Sequence, residues 1–294
     1  ARPLLAFAKS ELRAHAEAKQ WFWVEDESNQ RDDFDRNFLR NQVMPLLQTR
    51  WPQAPAALVR SGQHCAEAQT LLDERALEDL LPRLQSDGSL LCSPDDTLSP
   101  ARVRNLIRYW LRGLQLPLPG EAQLAQLVNA LIPAAVDAVP VVAWPGAEVR
   151  RYRSALHALP PLAPVDSSML FSFSLSTQML PGGGELIINI APCEQSNRQA
   201  IALRLLRSGK LSLRFRQGGE SVKLSGRPTR PLKKILQDAD LPPWWRDRLP
   251  LLYKEDELVA IPGVGVSESF VAVAGEDAVR LQWRPPILPH PWHR

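Results

Sequence analysis

Cysteine is scarce in this chain, and the three present, Cys65, Cys92 and Cys193, are odd in number and far apart. Their spacing fits neither a disulfide framework nor a structural zinc site, so they read as thiols in a reducing compartment. Long apolar runs are also missing, since none approaches the ~18 to 20 residues that cross a bilayer. The opening residues, ARPLLAFAKSELR, lack the apolar block and cleavage site of a secretory signal. These absences point to a cytoplasmic protein with no membrane partner. The most telling shortage is of acid in one region. From Arg198 to Lys234 there are eleven Lys and Arg and a single acid, Glu220, in a chain whose formal charge is only +3. The residues before that stretch carry about −4 and those after it −3. Charge segregated in this way is the footprint of a polyanion site, with a soluble domain of asymmetric surface as the plain alternative.

With 294 residues, 45% of them hydrophobic, the chain can build two or three cored domains, and its 27 prolines cut it into short elements. Ser10 to Gln20 reads as a short helix, and Trp21 to Val24 as a strand-like aromatic run. Glu25 to Asp35 is rich in charge and turn formers. This reads as the tail of a larger domain, and the start at Ala1 suggests that sequence precedes it. From Phe38 to Leu131 the pattern is helical. Ser99 is an N-cap, Pro100 fits the first turn and Gly113 the end. Val103, Leu106, Ile107, Trp110 and Leu111 form the core stripe, with Arg104, Arg108 and Arg112 on another face. After Gly120 a second helix carries Leu124, Leu127, Val128 and Leu131 up to Pro133, and packs with Ala54 to Leu84.

Beyond Val139 the period becomes two, giving strands at Val141 to Trp144, Val149 to Arg153, Phe171 to Leu175 and Leu186 to Ile190. Leu211, Leu213 and Phe215 alternate with Ser212, Arg214 and Arg216. Gly218 and Gly219 follow, and Val222 and Leu224 flank Lys223, which predicts a hairpin with one basic face. Pro231 to Asp240 predicts a short helix with Leu232, Ile235, Leu236 and Ala239 facing in. The expected class is α+β multidomain: a remnant of an α/β N-terminal domain over 1–50, a helical central domain over 51–138, a strand-rich linking domain over 139–210 and a basic C-terminal α/β domain over 211–294.

The most distinctive segment is Phe215 to Val266, with FRQGGE, then RPTRPLKKILQDADLPPWWRDRLPLLY, then DELVAIPGVGV. It resembles the C-terminal domain of tRNA(Ile)-lysidine synthetases. RPLL, WVEDESN and DRNFLRNQVMPLL are similar to the close of that family's ATP-using domain, and SPARVRNLIRYWLR to its central helical domain. The resemblance covers nearly the whole chain, with its motifs in the family's order. It implies a ligase forming a C–N bond: ATP, with Mg, adenylates the wobble cytidine of the isoleucine tRNA anticodon, and the amine of free lysine displaces the adenylate. The family's Ser-Gly-Gly-x-Asp-Ser loop is absent. The one glycine cluster, Pro181 to Glu185, lacks the Lys and Ser/Thr of a phosphate loop. No catalytic residue, and no bound cofactor, is therefore expected in this chain, which alone is expected to hold isoleucine tRNA without turnover. Whether it forms oligomers is left open.

Arg36, Asn37 and Arg40 match the family's Arg-Asn cluster near the reaction centre, where two guanidiniums and an amide would hold a phosphate or carboxylate. The plain alternative is a helix start capped by Asp35 with its arginines in solvent. Glu25 and Asp26 would attract lysine ammonium groups or simply be solvated. Arg104, Arg108 and Arg112 would meet backbone phosphates or water. Arg214, Arg216, Lys223, Arg227, Arg230, Lys233 and Lys234 would converge as one RNA-binding patch that reads helix shape and phosphates, as an acceptor-stem clamp does. Trp244 reads as a core anchor, Trp245 stays open between packing and base stacking, and Arg246 and Arg248 are candidates to reach RNA. His290 and His293 have no further ligand nearby, so no metal is expected. Two rival readings remain: a free-standing RNA-binding module, and a scaffold docking an acidic protein.

Overall fold

The structure is a computed structural model that describes residues 3–4, 7–24, 28, 31–92, 97–135, 138–180, 184–193, 199–207 and 209–286. Two compact units divide the chain, Ala1–Leu72 and Asp73–Arg294. The first holds α1 (Lys9–Ala18) and α2 (Asp35–Phe38), which runs through a π-helical turn, Leu39–Val43, into α3 (Met44–Arg50). Trp21 to Val24 is not a strand. Its side chains are largely exposed and no neighbouring strand is paired to it among the described residues; Trp21 and Trp23 instead lie against His15 and Arg13 of α1. Helix α4 (Ala54–Leu80) begins in the first unit and ends in the second.

The second unit has two main cores. One is built by β1 (Leu90–Leu91), α5 (Pro100–Gly113), α6 (Glu121–Gln126) with a π-helical extension Leu127–Leu131, β2 (Val141–Trp144), β3 (Ala147–Tyr152) and β4 (Ala155–Leu159). Ser99 caps α5 as expected, its hydroxyl accepting from the Arg102 N–H. Leu106, Ile107, Trp110 and Leu111 are buried against Leu124, Leu127, Leu131 and the inner face of an antiparallel sheet ordered β1-β4-β3-β2. The boundary expected between 138 and 139 therefore cuts through a core. Helices with so narrow an apolar stripe need a second layer, and the nearest strands supply it.

The other core follows β5 (Leu170–Ser172), β6 (Gln178–Met179), β7 (Glu185–Pro192), β8 (Ala200–Ala202), α7 (Leu203–Leu206), β9 (Leu211–Arg214), β10 (Ser221–Val222), β11 (Arg230–Pro231), α8 (Leu232–Asp238), α9 (Pro243–Arg246), β12 (Leu251–Lys254), β13 (Glu257–Ile261), β14 (Gly265–Val266) and β15 (Asp277–Arg284). Two sheets dominate, ordered β14-β13-β12-β9-β5 and β6-β7-β15-β8. Strand pairing also crosses 210/211, β5 with β9 and β7 with β15.

The expected hairpin over 211–224 does not form. β9 is held between β12 and β5, whereas β10 pairs with β11 in a separate two-stranded ribbon. Both edges of β9 are taken, and Gly218 and Gly219, at φ +97° and +86°, turn the chain away from it. Alternation in sequence showed two strands but not which partners they would choose.

Candidate nucleic-acid interface

The basic stretch divides into committed and uncommitted cations. Arg214 is committed: it lies over the Tyr253 ring at 4.6 Å, pairs with Asp256 at 3.1 Å and donates to the Glu255 carbonyl. Burial raises the Tyr253 pKa and nearby Glu220 adds to the rise, against the pull of Arg214. Arg216 pairs with Asp247 at 3.2 Å, with its buried Nε lacking an acceptor. Lys223 pairs with Glu268 at 2.5 Å and Arg230 with Asp238 at 2.7 Å. The Lys223 pair is exposed on both sides, so exchanging its carboxylate for a phosphate costs little, about 0–1 kcal/mol. Arg227, Lys233 and Lys234 are exposed and form no ion pair among the described residues.

Arg227 and Arg230 rim an open groove of about 740 Å³ whose wall is the C-terminal end of α8, with Ile235, Asp238 and Ala239, the last exposed and not facing in as expected, and whose far side is the turn at Gly263 and Val264. Lys233 and Lys234 open the same helix because Leu232, Ile235 and Leu236 are drawn into the core and leave those positions in solvent. Arg207 and Lys210, also exposed, were not singled out from sequence. The signal available was their place inside the acid-poor stretch. Arg198 lies outside the described residues.

The tryptophan segment packs inward. Trp244 and Trp245 are both buried: Trp244 meets His157 and Tyr152 edge-on at ring-centroid distances of 5.2 and 6.2 Å and lies beneath Arg150, while Trp245 meets Trp283 at 6.0 Å. Base stacking is excluded for both in this arrangement. Arg248 is 7% exposed and donates to the Ala163 carbonyl, so the expectation that it reaches RNA is corrected. Desolvation, reinforced by Arg150, lowers its pKa against the opposing pull of Glu148 and Asp247. Arg246 is half-buried, donating to the Leu241 carbonyl at 2.7 Å and the Tyr152 hydroxyl at 3.4 Å. That too is a joint in the fold rather than an outstretched cation.

On α5 the arginine face is tied down. Arg108 reaches Glu121 at the start of α6 at 2.5 Å, and Arg112 reaches Asp73 on α4 at 2.6 Å while covering Tyr109. Both pairs are partly open to solvent and join α5 to its neighbouring helices. Arg102 does so most deeply, gripping the buried Asp79 carboxylate through Nε and Nη2. Arg104 is half-buried without an ion pair among the described residues.

In the first unit, Asn37 is 8% exposed and its amide donates to the carbonyls of Ser28 and Arg31 at 2.8 and 2.9 Å. Asn41 and Gln42 donate to Asp32 at 2.9 and 2.8 Å. The amide hydrogens of Asn37 are therefore engaged by backbone carbonyls. Arg36 and Arg40 remain exposed one turn apart. Phe34 is the residue at the helix N-cap and Asp35 the first within it, so Asp35 adds charge to the first turn instead of capping. Glu25 and Asp26, like His290 and His293, lie outside the described residues.

Only the end of the glycine cluster, Gly184 and Glu185, falls within the described residues. Gly184 has φ +97°, and a Cβ there would stand 2.8 Å from the Trp283 indole and 2.9 Å from the Arg284 carbonyl. The Leu180 N–H donates to the Gly184 carbonyl, closing a strand-to-strand turn. Among the described residues no cluster of three metal-ligating side chains occurs, and no helix is long and apolar enough to cross a membrane.

Three family models match in order: the PP-loop domain over residues 1–47, the TilS substrate binding domain over 92–157 and the TilS substrate C-terminal domain over 211–283. The second ends within β4, in agreement with a core shared by helices and sheet. A tRNA(Ile)-lysidine synthase of Coxiella burnetii is 38% identical over 97% of the chain, and one of Serratia proteamaculans 40% identical over 96%. The chain spans 63% and 64% of their lengths. A crystal structure of a TilS C-terminal domain aligns at 25% identity and TM-score 0.33, covering 40% of the chain and 96% of that structure. The chain belongs to the tRNA(Ile)-lysidine synthase family, with the substrate-binding and C-terminal domains following a PP-loop segment.

Proposed function

We propose that this chain is the tRNA-holding portion of a cytoplasmic, ATP-dependent ligase that attaches lysine to the wobble cytidine of isoleucine tRNA. The observation that carries the reading is the set of exposed cations without ion pairs, Arg227, Lys233 and Lys234, beside the exchangeable pairs of Lys223 and Arg230, all within the segment matched to the TilS C-terminal domain. Such cations contact phosphates and fix orientation with little sequence information of their own. Arg104, where α5 leaves it without a carboxylate, is a second contact to the same substrate. Arg36 and Arg40, in the PP-loop match, would face the reacting nucleotide or a carboxylate.

ATP supplies the activation of the cytidine in this reaction, and the Ser-Gly-Gly-x-Asp-Ser loop that would hold its phosphates does not occur in this sequence. The chain alone should therefore bind isoleucine tRNA and form no lysidine when given ATP, Mg and lysine. Binding is tested by titrating the chain with isoleucine tRNA at several salt concentrations. A slope of log K on log salt between about −0.7 and −0.9 per phosphate contact, summed over several contacts, supports the reading. A flat salt dependence would refute it, and lysidine formed by the isolated chain would refute its division of labour.

A further inference from the structure

Glu220, the lone acid among eleven cations, forms an ion pair with none of them among the described residues. Its Oε1 accepts from the N–H groups of Gln217 and Gly218 at 2.5 and 3.0 Å, and its Oε2 from Gly218 at 3.1 Å. Successive backbone N–H groups converging on one anion form a nest, the kind of concavity that otherwise takes up a phosphate or carboxylate from outside. Here the chain fills its own nest. Gly218 and Gly219 have nothing within 4 Å of the position a Cβ would take, so the outer face of the turn is open, and glycine is needed there for conformation and not for room.

The main chain of the same residue does a second job. The Glu220 carbonyl accepts the Leu232 N–H at 2.8 Å, satisfying a donor in the first turn of α8 that has no partner within the helix. Lys233 and Lys234 follow at once. Ser221 and Val222, the next residues, pair with Pro231 and Arg230. Glu220 thus connects the end of the Arg214–Arg216 segment to the first turn of the paired-lysine helix, with its side chain closing one side and its backbone holding the other.

We infer that Glu220 is a positioning residue for RNA binding: its carboxylate plugs the Gln217–Gly218 nest and so fixes where Lys233 and Lys234 stand, at the expense of one unfavourable charge in the patch. The inference rests on the tRNA-binding reading above. Charge and geometry act in opposite directions, which makes them separable. Removing the negative charge alone strengthens attraction for phosphate, whereas removing the acceptor lets the turn open and spreads the lysines over many positions, raising the entropy lost on binding.

Three variants of the full chain test this by fluorescence anisotropy with isoleucine tRNA. Glu220→Gln keeps an Oε1 acceptor and loses the charge, so it should bind about 2–5-fold more tightly than the parent. Glu220→Ala loses both and should bind about 5–10-fold more weakly than Glu220→Gln. Glu220→Asp keeps the charge but shortens the reach by one methylene, and should bind more weakly than the parent. Hydrogen exchange of the Gln217 and Gly218 amides should quicken in the Ala and Asp variants and not in the Gln variant. Equal affinities for the Ala and Gln variants, or parental affinity and exchange in the Asp variant, would overturn the inference and leave Glu220 as a mere charge. Should the parent bind no tRNA, the functional reading fails, while amide exchange still decides whether the plug exists.

Discussion

Two groups of arginines and lysines in the same unit look alike as letters and differ in use. Those of α5 are stitched to carboxylates on neighbouring helices, Arg102 to Asp79, Arg108 to Glu121 and Arg112 to Asp73. Those of α8 and the loop before it, Lys233, Lys234 and Arg227, have no carboxylate to hold them among the described residues. Placement in the fold makes the difference, since Arg214, Arg216, Lys223 and Arg230 of the acid-poor stretch still find carboxylates beyond it. The carboxylates that hold α5 come from Asp73 and Asp79 on α4 and from Glu121, the first residue of α6. Between Arg198 and Lys234 only Glu220 is available, and backbone N–H groups occupy it. A cation without an internal partner is what a polyanion can use.

The largest expected effect breaks the first group. Replacing Arg102 by Met leaves the Asp79 carboxylate, 4% exposed, without its guanidinium. Uncompensated buried charges cost about 3–5 kcal/mol, and the half-exposed position of Arg102 places the loss near the lower end. Urea denaturation should show about 3 kcal/mol, with the salt slope for tRNA unchanged. The reverse outcome, parental stability with a shallower slope, would move Arg102 into the RNA-binding group. Replacing Lys233 and Lys234 together by Ala should do the opposite, lowering the magnitude of the log–log salt slope by about 1 per lysine and leaving stability within ~0.5 kcal/mol. Parental binding by that double variant would return both lysines to solvent.

How much of this was readable beforehand depends on the range of the interaction. The stripe of α5, its Ser99 cap, the helix with Lys233 and Lys234 at its start, and the strands at 141–144 and 186–190 follow from local spacing and match the structure. Partner choice does not follow from spacing. Nothing local shows that Leu211–Arg214 will lie between β12 and β5, or that Asp79 will claim Arg102 across 23 positions of sequence. Arg248 illustrates the limit best: beside Arg246 in an RDR run it reads as exposed charge, and only the fold shows it buried beneath Ala163. The candidate interface was therefore legible as a region, and its membership was not.

A smaller effect sharpens the boundary between the groups. Lys223 and Glu268 form a pair exposed by 55% and 51%, so neither side is needed for folding. Glu268→Gln should leave stability within ~0.5 kcal/mol and free Lys223 for phosphate, steepening the salt slope by up to about 1. An unchanged slope would place Lys223 with the structural cations despite its exposure.

The smallest effect concerns a cation that burial in the fold disfavours. His157 sits in β4 against the edge of Trp244, and burial there lowers its pKa below the ordinary histidine value, with Asp87 at 3.9 Å working in the opposite sense. An unfolded histidine takes up its proton near pH ~6.5, whereas the folded one resists until the pH is lower. Between those two pH values the unfolded chain binds more protons, so stability falls as pH drops through that window and is fully present above it. Thermal unfolding at about pH 7.5 and 5.5 should show this loss in the parent, and a smaller one in His157→Gln, which has nothing to titrate at that position. An equal loss in both would assign the pH dependence to other groups. A smaller loss in the parent than in the variant would mean that the Asp87 carboxylate outweighs burial, and His157 would then join Arg102, Arg108 and Arg112 as a paired structural cation.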